Sequence, residues 1–177
     1  MQAKENLKTK GQYTFIPLKH DPNHAEMSAL RRFARGDKSA FIGFAHLLNG
    51  QISEVNNICP TVGRNVLARL LAGDTTYTGE INYGALGSGS SAFNNASTQL
   101  NTEVYRKVNS DASFDDNIGY IDWFIASGDV ADATYNEFGA FIDGTGSANS
   151  GQAFSLVLTG GWVKSGSCFI SLKITIS

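Results

Sequence analysis

Strong charge of either sign is missing from this chain, in which 14 lysines and arginines stand against 16 acids and leave a net charge of −2. Such a balance argues against a broad electrostatic grip on nucleic acid or on an anionic membrane. Cysteine is nearly absent too. Cys59 and Cys168 lie far apart with no CxxC or Cys/His spacing around them, which sets aside a structural zinc site. No apolar run approaches the roughly 20 residues of a membrane span, and "MQAKENLKTKGQ" has no apolar core of the signal-peptide kind. The expectation is a product without a membrane span, made in a reducing cytosol with two free thiols.

What the chain does have is glycine, 19 among 177 residues, with abundant Ser, Thr and Asn and only 17% charged residues. This composition fits a sheet protein with tight turns, and the length suits one domain with a real core. From Gly73 onward the pattern is that of strands. "EINYGAL", "TEVYRKV", "IGYIDWFIA", "TYNEFGAFID", "QAFSLVLTGGWV" and "GSCFISLKITIS" are rich in aromatic and β-branched residues and are separated by turn clusters such as "NSDASFDDN" and "DGTGSANSG". The fold class this predicts is mainly β, an antiparallel sandwich of jelly-roll type with one or two short helices.

The first helix is expected after Asn23, which can cap it with Glu26 in a capping box, and Met27, Leu30, Phe33 and Ala34 share one face before Gly36. Arg31, Arg32 and Arg35 decorate the other side as a solvated surface. "TVGRNVLARLLAG" carries Val62, Val66, Leu67, Leu70 and Leu71 at helical spacing between Thr61 and Gly73, a second helix with those residues inward. Asn49-Gly50 joins two apolar runs and signals a hairpin over residues 39–60. Residues 1–22 read as an extended N-terminal arm interrupted by Pro17 and Pro22. They present Tyr13, Phe15, Ile16 and Leu18 to a partner, which divides the chain into 1–38, arm and short helix, and 39–177, sandwich.

Recognisable chemistry is sparse. Gly87-x-Gly89-x-x-Ala92 has the spacing of a dinucleotide-binding turn, and Asp111 follows at a distance suited to a ribose-binding acid. The segment after it is loaded with Asn, Ser and Thr, and no strand–helix alternation follows, so a nucleotide cofactor is not expected. His20 and His24 are separated by Pro22 and have no third ligand nearby. His46 sits in an apolar run as a partly buried residue, and Asp111, Asp115 and Asp116 lack calcium-loop spacing. Catalytic residues, cofactors and metals are therefore all expected to be absent.

The block "VGRNVLARLLAGDTTYTGEINYGALGSGSSAFNNASTQLNTEVYRKV", followed by "TYNEFGAFI" and "SLKITI", resembles a recurrent module of tailed-bacteriophage structural proteins, over roughly residues 45–177. The resemblance implies a non-enzymatic β-sandwich virion protein of the tail, fibre, baseplate or head decoration, partnered by copies of itself and by other virion proteins. In that setting Gly87 and Gly89 turn the chain at a sandwich corner. An alternative reading is a host-recognition module stacking surface glycan on Tyr77, Phe93 or Phe114.

Overall fold

The computed structural model describes residues 9–177. Among the described residues, nine strands form two antiparallel sheets: β1 (Thr9–Leu18), β2 (Ser53–Asn56), β3 (Ile81–Gly87), β4 (Glu103–Val108), β5 (Asp111–Asp115), β6 (Ile118–Ile125), β7 (Ala133–Ile142), β8 (Gln152–Lys164) and β9 (Ser167–Ile176). One sheet runs β2-β1-β9-β6-β5 and the other β4-β3-β7-β8. The mainly β, sandwich reading of the sequence is thus what the chain adopts.

The N-terminal segment is a correction. β1 is an internal strand, paired with β9 along its whole length from Thr9↔Ile176 to Leu18↔Ser167 and with β2 from Gln12 to Phe15. Tyr13, Phe15, Ile16 and Leu18 are all fully buried. They are not a partner-binding set, and residues 9–18 belong to the sandwich, so no domain boundary falls at 38. Residues 1–8 of the expected arm lie outside the described residues.

Tyr13 and Phe15 meet Phe138 edge-on at ring separations of 5.2 and 5.9 Å, and Phe15 also packs on Trp162 at 5.4 Å. Aromatic pairs in these geometries add to their area burial. Ile16 and Leu18 point to the opposite face, where they join Leu30, Phe33, Phe44, Leu47 and Phe169 in a second core. Pro17 sits past the end of the β1–β2 pairing, where its missing N–H removes no ladder bond.

Helix α1 (His24–Ala34) covers that second core, and its start is the expected capping box. Asn23 Oδ1 accepts from the Glu26 N–H at 3.0 Å, while Glu26 Oε2 accepts from the Asn23 N–H at 2.7 Å. The expected hairpin at Asn49-Gly50 is not formed. Residues Lys38–Gly43 and Ala45–Leu47 wind into 3-10 turns that bury Phe44 and Leu47. The Asn49 N–H donates to Pro17 O, and β2 pairs with β1 instead. Burial of Phe44 against Phe33, at 5.3 Å between rings, outweighs a two-residue turn preference.

Helix α2 (Thr61–Leu71) lies against β8. Gly63 makes that approach possible, since a Cβ there would stand 2.8 Å from the Ala153 carbonyl and the Phe154 Cα. Val66 is buried, Leu67 and Leu70 half-buried, and Leu71 is 81% exposed, which corrects the expected inward stripe at its last member.

Candidate functional site

The glycine turn is the most organised feature that the sequence singled out. Gly87 ends β3, and a long loop, residues 88–102, carries the chain to β4. Both ends of this loop close on the carboxylate of Glu137, which projects from β7 and is fully buried. Oε1 accepts from the N–H groups of Gly89 (3.1 Å) and Thr102 (2.7 Å). Oε2 accepts from the N–H (3.0 Å) and the side-chain amide (2.9 Å) of Asn101. A buried carboxylate is tolerated when its oxygens are filled in this way.

The two glycines are needed for closeness rather than for backbone reversal. Neither has a positive φ. A Cβ on Gly89 would lie 2.7 Å from Glu137 Oε1, and one on Gly87 would lie 2.6 Å from Thr102 O. The Gly89 amide is therefore directed at the protein's own carboxylate while the Ser88 N–H donates to Thr102 O, which corrects the sandwich-corner account of these glycines. Nothing in the local sequence pointed to Glu137, because its partners come from 35 to 48 residues upstream.

A buried ion pair stands beside this loop. Arg106 and Glu103 are 2.6 Å apart with side chains only 4% and 3% exposed. Arg106 also donates to the carbonyls of Thr145 and Ser150 at 3.0 and 3.1 Å, so it ties β4 to the β7–β8 connection. The guanidinium lies 5.0 Å over Phe141.

The arginines of α1 are not simply solvated. Arg35 meets Asp111 at 2.9 Å and Asp122 at 3.6 Å, and Arg31 stands 3.5 and 3.7 Å from the same pair. Asp111 and Asp122 are cross-strand neighbours on β5 and β6. Asp122 is 1% exposed and accepts from Ser171 Oγ at 2.6 Å. Burial pushes its carboxyl up from the ordinary 3.8 to about 6, against the lowering pull of Ser171 and Arg35. Arg32 turns aside to Asp37.

No family model, curated protein or solved structure matches this chain.

The remaining predicted residues are dispersed. His46 Nε2 pairs with Glu26 Oε1 at 2.8 Å on the surface, so it is exposed rather than partly buried. The His20 ring stays with the neighbouring Asp21 carbonyl. Cys59 and Cys168 are unpaired, and burial raises both thiols, Cys168 to about 12. Among the described residues no group of three or more His, Cys, Asp or Glu is placed to hold a metal ion, and no helix is long and apolar enough to cross a membrane.

Two outer strands leave large apolar side chains uncovered. β4 ends its sheet with Val104 and Val108 each 51% exposed, and β5 ends the other with Phe114 at 84%. Of the other two aromatics marked for glycan stacking, Tyr77 is half-buried beneath Arg69, 5.0 Å from its ring, and Phe93 packs toward Leu100 and Phe141.

Proposed function

We propose that the chain is a non-enzymatic virion structural protein of a tailed bacteriophage, which assembles with copies of itself and neighbouring virion proteins in the tail, fibre or baseplate or as head decoration. One observation carries the reading: the segments that resemble the phage module are built into the framework of the sandwich. "GRNVLARLLAG" packs on β8 through Gly63. "TYNEFGAFI" supplies Glu137 to the Gly87–Gly89 turn. "SLKITI" lies in β9, a central strand of its sheet. A framework built this way leaves its outer strands, with Val104, Val108 and Phe114, for contact with neighbours. The test is immunodetection of the protein in gradient-purified particles. It should sediment with them at a fixed copy number, and its absence from particles would overturn the proposal.

Glycan recognition is the second reading, favoured by Phe114 alone, whose ring is available for stacking on a sugar. A glycan array should then give binding that Phe114→Ala abolishes.

A further inference from the structure

Of the four strands that end the two sheets, three are closed, irregular or short, which are the usual ways of keeping an edge from pairing. β8 is bridged at Leu156 by Ile58, the β3–β4 register shifts between Leu86 and Gly87, and β2 is four residues long. β5 is different. It pairs with β6 in unbroken register from Asp111↔Asp122 to Asp115↔Ile118. The Asn117 carbonyl accepts from the Ile176 N–H, so Ile118, Tyr120 and Asp122 turn their backbone groups toward β5 and exchange bonds with Asp115, Ser113 and Asp111. The N–H and C=O groups of Ala112 and Phe114 therefore point away from the sheet, and among the described residues nothing pairs with them.

The side chains of the same two residues are bare as well. Asp111 faces α1, so strand alternation turns Ala112 and Phe114 to the side of the facing sheet. That sheet ends on β4 without covering them, and both are exposed, Phe114 to 84%. An aromatic side chain on the core side of a strand with nothing above it, next to unpaired backbone donors and acceptors, is a place where another strand can be added.

We infer that the β5 edge is where a second copy of the chain docks, β5 against β5, antiparallel about a twofold axis that is perpendicular to the sheet and passes between the two Ser113 residues. The twofold sets Ala112 of each copy opposite Phe114 of the other. Both residues bring outward N–H and C=O groups, so each of the two pairs closes its backbone hydrogen bonds and lays a Phe114 ring beside an alanine. The charges fit too. Asp115, exposed and without an ion-pair partner among the described residues, comes beside Asp111 of the other copy, in front of Arg31 and Arg35. Arg31 stands 3.5 and 3.7 Å from Asp111 and Asp122 without a hydrogen bond to either, and its Nε has no acceptor, so it is placed to take a third carboxylate. Because α1 packs over β9, two strands in from β5, each copy keeps its helix on its own half of the joined sheet.

The inference rests on the assembly reading of the preceding subsection, and it is tested on the purified protein, so that its failure is separate from absence in particles. Sedimentation equilibrium of the wild type should show a monomer–dimer equilibrium. Phe114→Pro removes an outward N–H and none that bonds β6, so it should keep the wild-type thermal midpoint. It should weaken dimerisation about tenfold or more, because the loss is counted twice in a twofold dimer. Asp115→Lys sets a lysine in front of Arg31 and should weaken it as well, and it carries the test should Phe114→Pro lose that midpoint. The register has its own readout. Opposed residues that do not bond across the pair stand about 4.5 Å apart at Cα, within disulfide range, so Ser113→Cys should give a covalent dimer on mild oxidation and Ala112→Cys should not. A wild type that remains monomeric to about 1 mM overturns the inference. So does a dimer indifferent to Phe114→Pro and Asp115→Lys, or one that Ala112→Cys cross-links as readily as Ser113→Cys.

Discussion

The backbone N–H of Gly89 and the carboxylate of Glu137 lie 3.1 Å apart, and this bond holds one end of the long loop of residues 88–102 to the sheet. Asn101 and Thr102 hold the other end to the same carboxylate. Glu137→Gln replaces one acceptor oxygen with an amide nitrogen that faces backbone donors. Each donor left unsatisfied in a buried site costs about 1–3 kcal/mol, so the variant should lose at least that much in urea unfolding. Gly89→Ala should be destabilised as well, by the contacts its Cβ would make with Asn101 and Glu137. Unchanged midpoints in both variants would show that the carboxylate does not hold the loop.

Residues 9–18 are expected to be indispensable to folding. Phe15→Ala removes a buried ring that contacts Tyr13, Phe138 and Trp162, and should cost about 3–5 kcal/mol. Deleting residues 1–18 takes an internal strand out of its sheet and should leave no cooperative thermal transition. A truncated protein that melts like the wild type would contradict the placement of β1.

Along α2 the cost of truncation should follow burial. Val66→Ala should lose about 2 kcal/mol, from two buried methyl groups at ~0.8 kcal/mol each with a small cavity term. Leu71→Ala, on an exposed side chain, should stay within about 0.5 kcal/mol. Chemical denaturation of the two variants separates these values, and a larger loss at Leu71 would mean that its side chain is covered in solution.

Asp122 sets a pH dependence of definite sign. Its carboxyl is raised on folding, to about 6, so the folded chain binds a proton more readily than the unfolded one. Its contribution to stability is fully present below the ordinary 3.8 and is lost as pH rises through about 6. Asp74, held down to about 2 by Thr76 and Arg69, works the other way, contributing above its ordinary value and losing that contribution as pH falls toward 2. Urea midpoints of wild type and Asp122→Asn, followed from pH 4 to pH 7.5, isolate the first effect. The wild type should lose stability relative to the variant as pH rises, and parallel curves would contradict the raised carboxyl.

Features that depend on near neighbours were legible in the sequence. Asn23 and Glu26 announce the capping box because both partners lie within one turn, and runs of aromatic and β-branched residues announce β3, β4 and β6 to β9, whereas β5 (Asp111–Asp115) falls in the "NSDASFDDN" stretch that reads as a turn cluster. Pro17 and a polar lead-in made β1 look like an arm. The local pattern cannot tell that β2 stops at the partner of Phe15, which leaves Pro17 with no ladder bond to lose. Asn49-Gly50 misled for a related reason. A hairpin signal is local, whereas the burial of Phe44 and Leu47 against α1 is set by a helix some 15 residues earlier.

By itself, then, the sequence determined a β-rich chain with a capped helix at Asn23, a second helix between Thr61 and Gly73, and a turn at Gly87 and Gly89. Only the tertiary structure decided what those parts meet. It gave the Gly-x-Gly turn to Glu137 and placed Asp111 and Asp122 side by side beneath Arg31 and Arg35. It also put Tyr13 and Phe15 at the centre of the aromatic core. Most of these contacts join distant parts of the chain, such as Arg35 to Asp111 across 76 residues, and sheet pairing is fixed by burial summed over whole faces rather than by any neighbouring residue.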